Sequence, residues 1–140
     1  MNALTTTTDI QRRSGTFSLQ PLCMRTHRVA NAGVGLLVPV QFYAAGFGIF
    51  GAGSMVPHAI IGWTMIPLGL ISAISATLSR TGRRSVLQAF ALLGLIVMQP
   101  ILAFAPRASL PALSALHPVV GLAIGALAFA IHLRLARTGS

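Results

Sequence analysis

The sequence predicts an all-α integral membrane protein, a four-helix up-down bundle with a parallel repeat of two hairpins. Hydrophobic residues make up 54% of the 140 residues and charged residues only 8%, and the mean hydropathy is +0.79. A soluble domain of this size needs far more charge to cover its surface. Four apolar segments of about 20 residues each are also long enough, at 1.5 Å per residue, to cross the hydrocarbon core of about 30 Å.

The chain before the first apolar segment is polar, and we expect a flexible cytoplasmic tail over residues 1–28. This stretch is rich in Thr, Ser and Arg. It lacks both a continuous apolar run and a small-residue cleavage site, so it is not typical of a signal peptide. Translation can start at Met1 or at Met24. The single cysteine, Cys23, has no disulfide partner and is too isolated for a thiolate metal site.

The transmembrane domain is predicted over residues 29–137, with helices at about 29–50, 58–78, 85–105 and 116–135. The first three spans contain no Asp, Glu, Lys or Arg. The fourth contains only Arg134, in its last turn, from which the side chain can snorkel to the interface. Helix breakers separate the spans, in the stretches GAGSMVP, SRTGRR and PRASLPALSA.

The distribution of arginine predicts the orientation of the chain. The first connection between spans contains no arginine and the third contains one, Arg107, whereas the tail, the second connection and the C-terminus contain Arg12, Arg13, Arg25, Arg28, Arg80, Arg83, Arg84, Arg134 and Arg137. The positive-inside rule therefore places both termini of this multi-pass membrane protein in the cytoplasm. No basic-aromatic patch interrupts the apolar runs, so the high pI of about 12.0 does not predict nucleic-acid binding.

Two histidines are the most informative polar residues of the apolar domain. The stretch HAIIGW begins at His58 and the stretch HPVVGL begins at His117. Upstream, VQFYAAGF resembles MQPILAFA and aligns Gln41 with Gln99. Helices 1 and 2 therefore resemble helices 3 and 4, and such repeats often place a functional site at their interface. In the predicted orientation both histidines open a helix that starts at the outer face.

Two interpretations of the histidine pair remain open. In the first, the imidazoles bond to loop carbonyls and headgroups, and Pro57 and Pro118 are ordinary helix-start residues. In the second, His58 and His117 are the axial ligands of a b-type haem iron, a standard role for histidine. Helices 2 and 4 would then be diagonal and about 13 Å apart, which leaves room for two imidazoles and an iron atom. Zinc is disfavoured because it needs three or four ligands.

The haem interpretation assigns roles to four neighbouring residues. Gly62 and Gly121, one turn beyond each histidine, would make room for the porphyrin. Gln41 and Gln99 would orient an imidazole or a propionate. The alternatives are close helix packing for the glycines and interhelical hydrogen bonds for the glutamines.

The remaining polar residues argue against enzymatic chemistry. No acid lies in any span, which argues against a carboxylate-driven proton antiporter and a carboxylate catalyst. No Asp/His partner arrangement is apparent for the hydroxyl residues Ser54, Thr64, Ser72 and Ser75, so a hydrolase has no support. His27 and His132 are expected to be interfacial, near the cytoplasmic face.

Three stretches resemble a known group of proteins. QFYAAGFGIF, PHAIIGW and LHPVVGLAIGALAF resemble a family of small, uncharacterised four-helix bacterial membrane proteins. That family carries Q-F-x-x-A-G-x-G in helix 1, His opening helix 2 and H-P-V-x-G opening helix 4, and the resemblance covers about residues 25–137. More distantly, His58 and His117 are similar to haem-ligating histidines in one half-bundle of haem A synthase. The chain lacks that enzyme's cysteine pair in the first outer loop and the glutamate before His58, so the resemblance implies haem binding rather than haem A synthesis.

Two hypotheses for function follow. The protein binds b-type haem between helices 2 and 4 near the outer face, for electron transfer or cofactor handling with a redox partner. Alternatively, it is a non-enzymatic accessory or assembly subunit whose Gly-rich helix faces pack against a larger membrane complex. Both hypotheses place the protein in the lipid bilayer.

Overall fold

The computed structural model describes residues 18–104 and 110–138. These residues form four helices and no strand: α1 (Gln20–Ile49), α2 (Val56–Leu78), α3 (Arg83–Phe104) and α4 (Pro111–Thr138). All four helices are long and apolar enough to cross a membrane. The prediction of an all-α four-helix membrane bundle is confirmed.

The helices are arranged as a ring. Each helix packs against the next one along the chain, and α4 packs against α1. Within the described residues, neither α1 and α3 nor α2 and α4 pack against each other. The helices that carry the two candidate histidines are therefore diagonal, and their side chains can meet only across the axis of the bundle.

The outward surface of the bundle is apolar. Large side chains such as Leu36, Ile49 and Phe129 are 72%, 71% and 61% exposed. An apolar surface of this extent is unfavourable in water and matches hydrocarbon. The outward surface of the bundle therefore contacts a lipid bilayer. The main buried cluster is small by comparison and consists of Val34, Val38, Met65, Leu92, Ile96, Ile124, Ala128, Ile131 and Leu135.

Two helices begin at least five residues earlier than the sequence pattern predicts, and the other two begin two residues earlier. Helix α1 begins at Gln20, so residues 20–28 of the expected tail are helical; the rest of that tail, up to residue 17, lies outside the described residues. Helix α4 begins at Pro111 rather than near residue 116. In both helices a proline lies in the first turn, where its missing N–H costs nothing because those amides have no helical acceptor. The stretch PRASLPALSA, which the sequence pattern assigns to a helix-breaking connection, therefore contains the start of α4.

The early start of α4 changes the position of His117. It is the seventh residue of the helix rather than a residue of its first turn. Pro118 consequently lies inside the helix, where it removes the amide that would bond to the Ser114 carbonyl. The interpretation of Pro118 as a helix-start residue is wrong.

The two ends of the bundle differ in packing. We call the end that holds residues 79–82, which connect α2 to α3, the arginine end. The opposite end, which holds residues 50–55, is the histidine end. At the arginine end α2 and α3 approach closely through the buried alanines Ala73, Ala76 and Ala89. The tight connection between them contains Arg80 and Gly82 in the left-handed region, at φ +52° and +91°.

Candidate functional site

The histidine end contains a cavity of about 710 Å³. This volume lies in the range of small-molecule and cofactor sites, about 300–1,000 Å³. All four helices contribute to its walls, which are mainly apolar. The polar side chains among the lining residues are those of Gln41, His58, Gln99, Ser114 and His117. An apolar cavity with a few converging polar groups is typical of a ligand-binding site.

The imidazoles of His58 and His117 meet across the bundle axis. Their ring centroids are 6.0 Å apart and their planes are inclined by 63°. The diagonal placement of α2 and α4 directs both side chains inward. The fold thus brings together the two residues that the sequence pairs, although one is the third residue of its helix and the other the seventh.

Each imidazole is held by a backbone carbonyl of the preceding helix. The Nδ1 atom of His58 lies 3.1 Å from the Gln41 carbonyl oxygen, and that of His117 lies 3.1 Å from the Gln99 carbonyl oxygen. A carbonyl oxygen can only accept, so Nδ1 carries the hydrogen and donates it. In the neutral ring Nε2 is then unprotonated, the form in which histidine binds a metal. Metal-bound histidines commonly donate their other N–H in this way.

The two candidate glycines lie against the glutamine amides. A Cβ added to Gly62 would lie 2.9 Å from Nε2 of Gln41, and one added to Gly121 would lie 3.2 Å from Nε2 of Gln99. Each glycine therefore accommodates an amide from the neighbouring helix. The sequence interpretation, that these glycines make room for a porphyrin, did not anticipate this contact.

Three buried oxygen atoms of the cavity lack a hydrogen-bond partner among the described residues. They are Oε1 of Gln41, Oε1 of Gln99 and Oγ of Ser114. Leaving a buried polar atom unpaired costs about 1–3 kcal/mol. Donors from a bound molecule or from water are expected to pair with these atoms.

The two hairpins build equivalent halves of the site. In each hairpin a glutamine carbonyl holds a histidine ring, and the glutamine amide lies over a glycine one turn beyond that histidine. The first half consists of Gln41, His58 and Gly62, and the second consists of Gln99, His117 and Gly121. The site therefore lies where the two halves of the chain meet.

The histidine pair cannot by itself complete a zinc site. In the part of the chain that the structure describes, no three side chains of His, Cys, Asp or Glu are grouped to hold a metal ion. Two imidazoles suit a metal whose other ligands come from a macrocycle.

A second buried polar cluster lies towards the arginine end. His27 is fully buried, and its Nδ1 lies 3.0 Å from Oγ of Ser72. Asn31 is also fully buried and donates its amide hydrogen to the Ala128 carbonyl at 2.8 Å. The interfacial position predicted for His27 is therefore wrong, and so is the prediction that Ser72 has no histidine partner. His132 is exposed at the arginine end, in line with expectation.

A periodicity signal for this cluster exists in the sequence. His27, Asn31, Val34 and Val38 are spaced as one face of a helix, and all four are buried. Assigning residues 20–28 to a tail concealed that pattern. His27 and Ser72 are both fully buried, and the only acid of the chain, Asp9, lies outside the described residues. The bonds of this cluster link α1 to α2 and to α4.

Comparison with known proteins gives one match. A family model for a family of unknown function, DUF6220, matches residues 41–106. The matched segment runs from Gln41 through α2 and α3, so it contains one histidine of the pair and both glutamines. A comparison with curated proteins and one with solved structures each give no match. The chain is therefore similar over this segment to a family of unknown function, and it has four membrane-type helices.

Proposed function

We propose that the protein binds b-type haem between His58 and His117 and serves electron transfer or haem handling in the membrane. One observation carries this proposal: two imidazoles lie 6.0 Å apart across the bundle axis, and each has its Nδ1 bonded to a carbonyl. In this arrangement both neutral rings present an unprotonated Nε2.

The chain's own residues would hold the group and control its surroundings. The carbonyls of Gln41 and Gln99 keep both imidazoles in the ligating tautomer and fix the rotation of each ring. Apolar side chains of the walls exclude water and favour a flat apolar macrocycle. A bound haem would supply one-electron redox chemistry, which the imidazoles of His58 and His117 that would hold it, and the polarity around them, would tune.

We propose the bacterial inner membrane as the location, and the arginine distribution supports an orientation with both termini in the cytoplasm. The arginine end would then face the cytoplasm, and the cavity would open near the outer face, where a redox partner would approach. Reporter fusions after residue 140 and at Ser54 test this orientation. We expect a cytoplasmic signal from the first and an external signal from the second; the reverse pair of signals would refute it.

An absorption spectrum tests haem binding most directly. The protein purified from cells supplied with ample haem is expected to be red, with a Soret band and the sharp bands of low-spin, six-coordinate iron. A colourless protein that retains its helical circular dichroism would refute the proposal. The accessory-subunit hypothesis would then stand, and co-purification of a larger membrane complex would support it.

A further inference from the structure

A smaller cavity lies beside the main cavity, and we call it the arm. The arm has a volume of about 110 Å³. Six residues line both spaces: Gln41, His58, Gly62, Gln99, Ala103 and His117. The two spaces therefore adjoin at the histidine pair, whose side chains line both of them.

The arm lies between α2 and α3. The residues that line it and not the main cavity all belong to these two helices: Ala59, Trp63, Ile66, Pro100 and Phe104. Two of them, Trp63 and Phe104, are 57% and 77% exposed. They lie on the outward apolar surface, which contacts lipid. The arm thus extends from the imidazoles to the surface that the bilayer covers.

The end of the bundle is covered on the side of the first hairpin. The connection formed by residues 50–55 folds back onto the end of α1. The Met55 side chain lies directly over Gly48, and the Phe47 ring lies directly over Gly53, with no room for a Cβ at either glycine. Met55 also lines the main cavity. The connection between α1 and α2 is therefore closely packed against the end of α1, whereas the arm lies at the side of the bundle, between α2 and α3.

We propose that the arm is an opening through which a flat apolar ligand dissolved in the bilayer reaches the main cavity. This inference rests on the proposed function for the identity of that ligand, which is haem. An apolar macrocycle concentrates in the membrane, because water disfavours its exposed surface. Lateral access also brings the ligand directly to His58 and His117, because both imidazoles line the arm as well as the main cavity.

Thiol labelling tests the opening without haem. Cys23, the only cysteine, is changed to serine, and Ala103→Cys places a thiol where the arm joins the main cavity. In phosphatidylcholine vesicles, this thiol should react at least about tenfold faster with bilayer-dissolved pyrene maleimide than with a membrane-impermeant sulfonated maleimide. Adding Ala59→Leu, which fills the arm, should slow the pyrene reagent about fivefold. Ala123→Leu is the matched control, because Ala123 is exposed on α4 and lines neither space.

Haem uptake from donor vesicles gives the second measurement. Ala59→Leu should reach the wild-type Soret absorbance about fivefold more slowly, and Ala123→Leu should match the wild type. A thiol that reacts as fast from water as from the bilayer, or uptake that Ala59→Leu leaves unchanged, would overturn the lateral opening and leave haem binding intact. The expected thiol pattern without any haem uptake would instead overturn the proposed function and support an opening for another apolar ligand.

Discussion

The two ends of the bundle use buried histidine differently. At the histidine end, His58 and His117 donate to carbonyls and line a cavity of about 710 Å³. Towards the arginine end, His27 bonds to Ser72 and is enclosed on all sides, with 0% of its surface exposed. The chemistry open to a buried histidine thus depends on the space around its second nitrogen. A cavity admits a ligand, whereas close packing leaves a link between helices.

An apolar layer separates the two polar regions. Val38, Met65, Ile96 and Ile124 belong to the buried core and also line the main cavity on its inner side. Within the described residues, no titratable side chain belongs to this layer.

The largest expected contrast between the ends is spectroscopic. If the protein binds haem as proposed, His58→Ala and His117→Ala each remove one of the two imidazoles that would hold it, so each should convert a low-spin haem spectrum to a high-spin one or abolish haem binding. His27→Ala and His132→Ala should leave the spectrum unchanged. Absorption spectra of the four variants, with circular dichroism as a check of folding, make the comparison. If His27→Ala altered the spectrum as strongly as His58→Ala, the proposed functional difference between the two ends of the bundle would be refuted.

A smaller contrast is expected in stability. His27→Ala and Asn31→Ala each remove a buried interhelical hydrogen bond, and such bonds contribute about 0.6–1.7 kcal/mol in membrane proteins. Each variant should lower the free energy of unfolding in mixed detergent micelles by that amount and leave the Soret band unchanged. Ser72→Ala should cost less in the His27→Ala background than alone, because the two side chains share one bond. Additive losses from these two substitutions would show that the bond contributes nothing.

The smallest expected effect concerns the glutamine amides. Gly62→Ala places a Cβ 2.9 Å from Nε2 of Gln41, so the amide must move, and haem affinity should fall roughly twofold to fivefold, about 0.4–1 kcal/mol. Gly121→Ala meets its amide at 3.2 Å and should have a weaker effect. Gly94→Ala is the control: its Cβ would have nothing within 4 Å, so only helix propensity changes. Equal haem affinity in Gly62→Ala and Gly94→Ala would exclude a role for the amide position.

Sequence patterns predicted the helices better than their ends. Hydropathy over 20 residues locates a span because each residue contributes to it independently of distant parts of the chain. The start of α4 at Pro111 was missed because a proline after a polar loop is as compatible with a breaker as with a first turn. Residues 20–28 were assigned to the tail for a related reason: Gln20 and His27 bond to Ser79 and Ser72, which lie near the end of α2 and are more than 40 residues away along the chain.

The candidate site was predicted in part. The repeat aligned Gln41 with Gln99 and His58 with His117, and the structure brings all four together. The repeat could not show that the glutamine carbonyls hold the rings or that the amides lie over Gly62 and Gly121. Those contacts depend on the register of one helix against its neighbour, which no local pattern encodes.

The sequence by itself determined the apolar composition, the four membrane-type helices, the arginine asymmetry and the paired histidines. These properties follow from residue type and short-range spacing. The tertiary structure alone decided which histidines line a cavity. It placed α2 and α4 on a diagonal, so that residues 59 apart meet, and it enclosed His27 between α1 and α2. The physical reason is that a cavity is the space that four packed helices leave between them, and its shape depends on all of their side chains together.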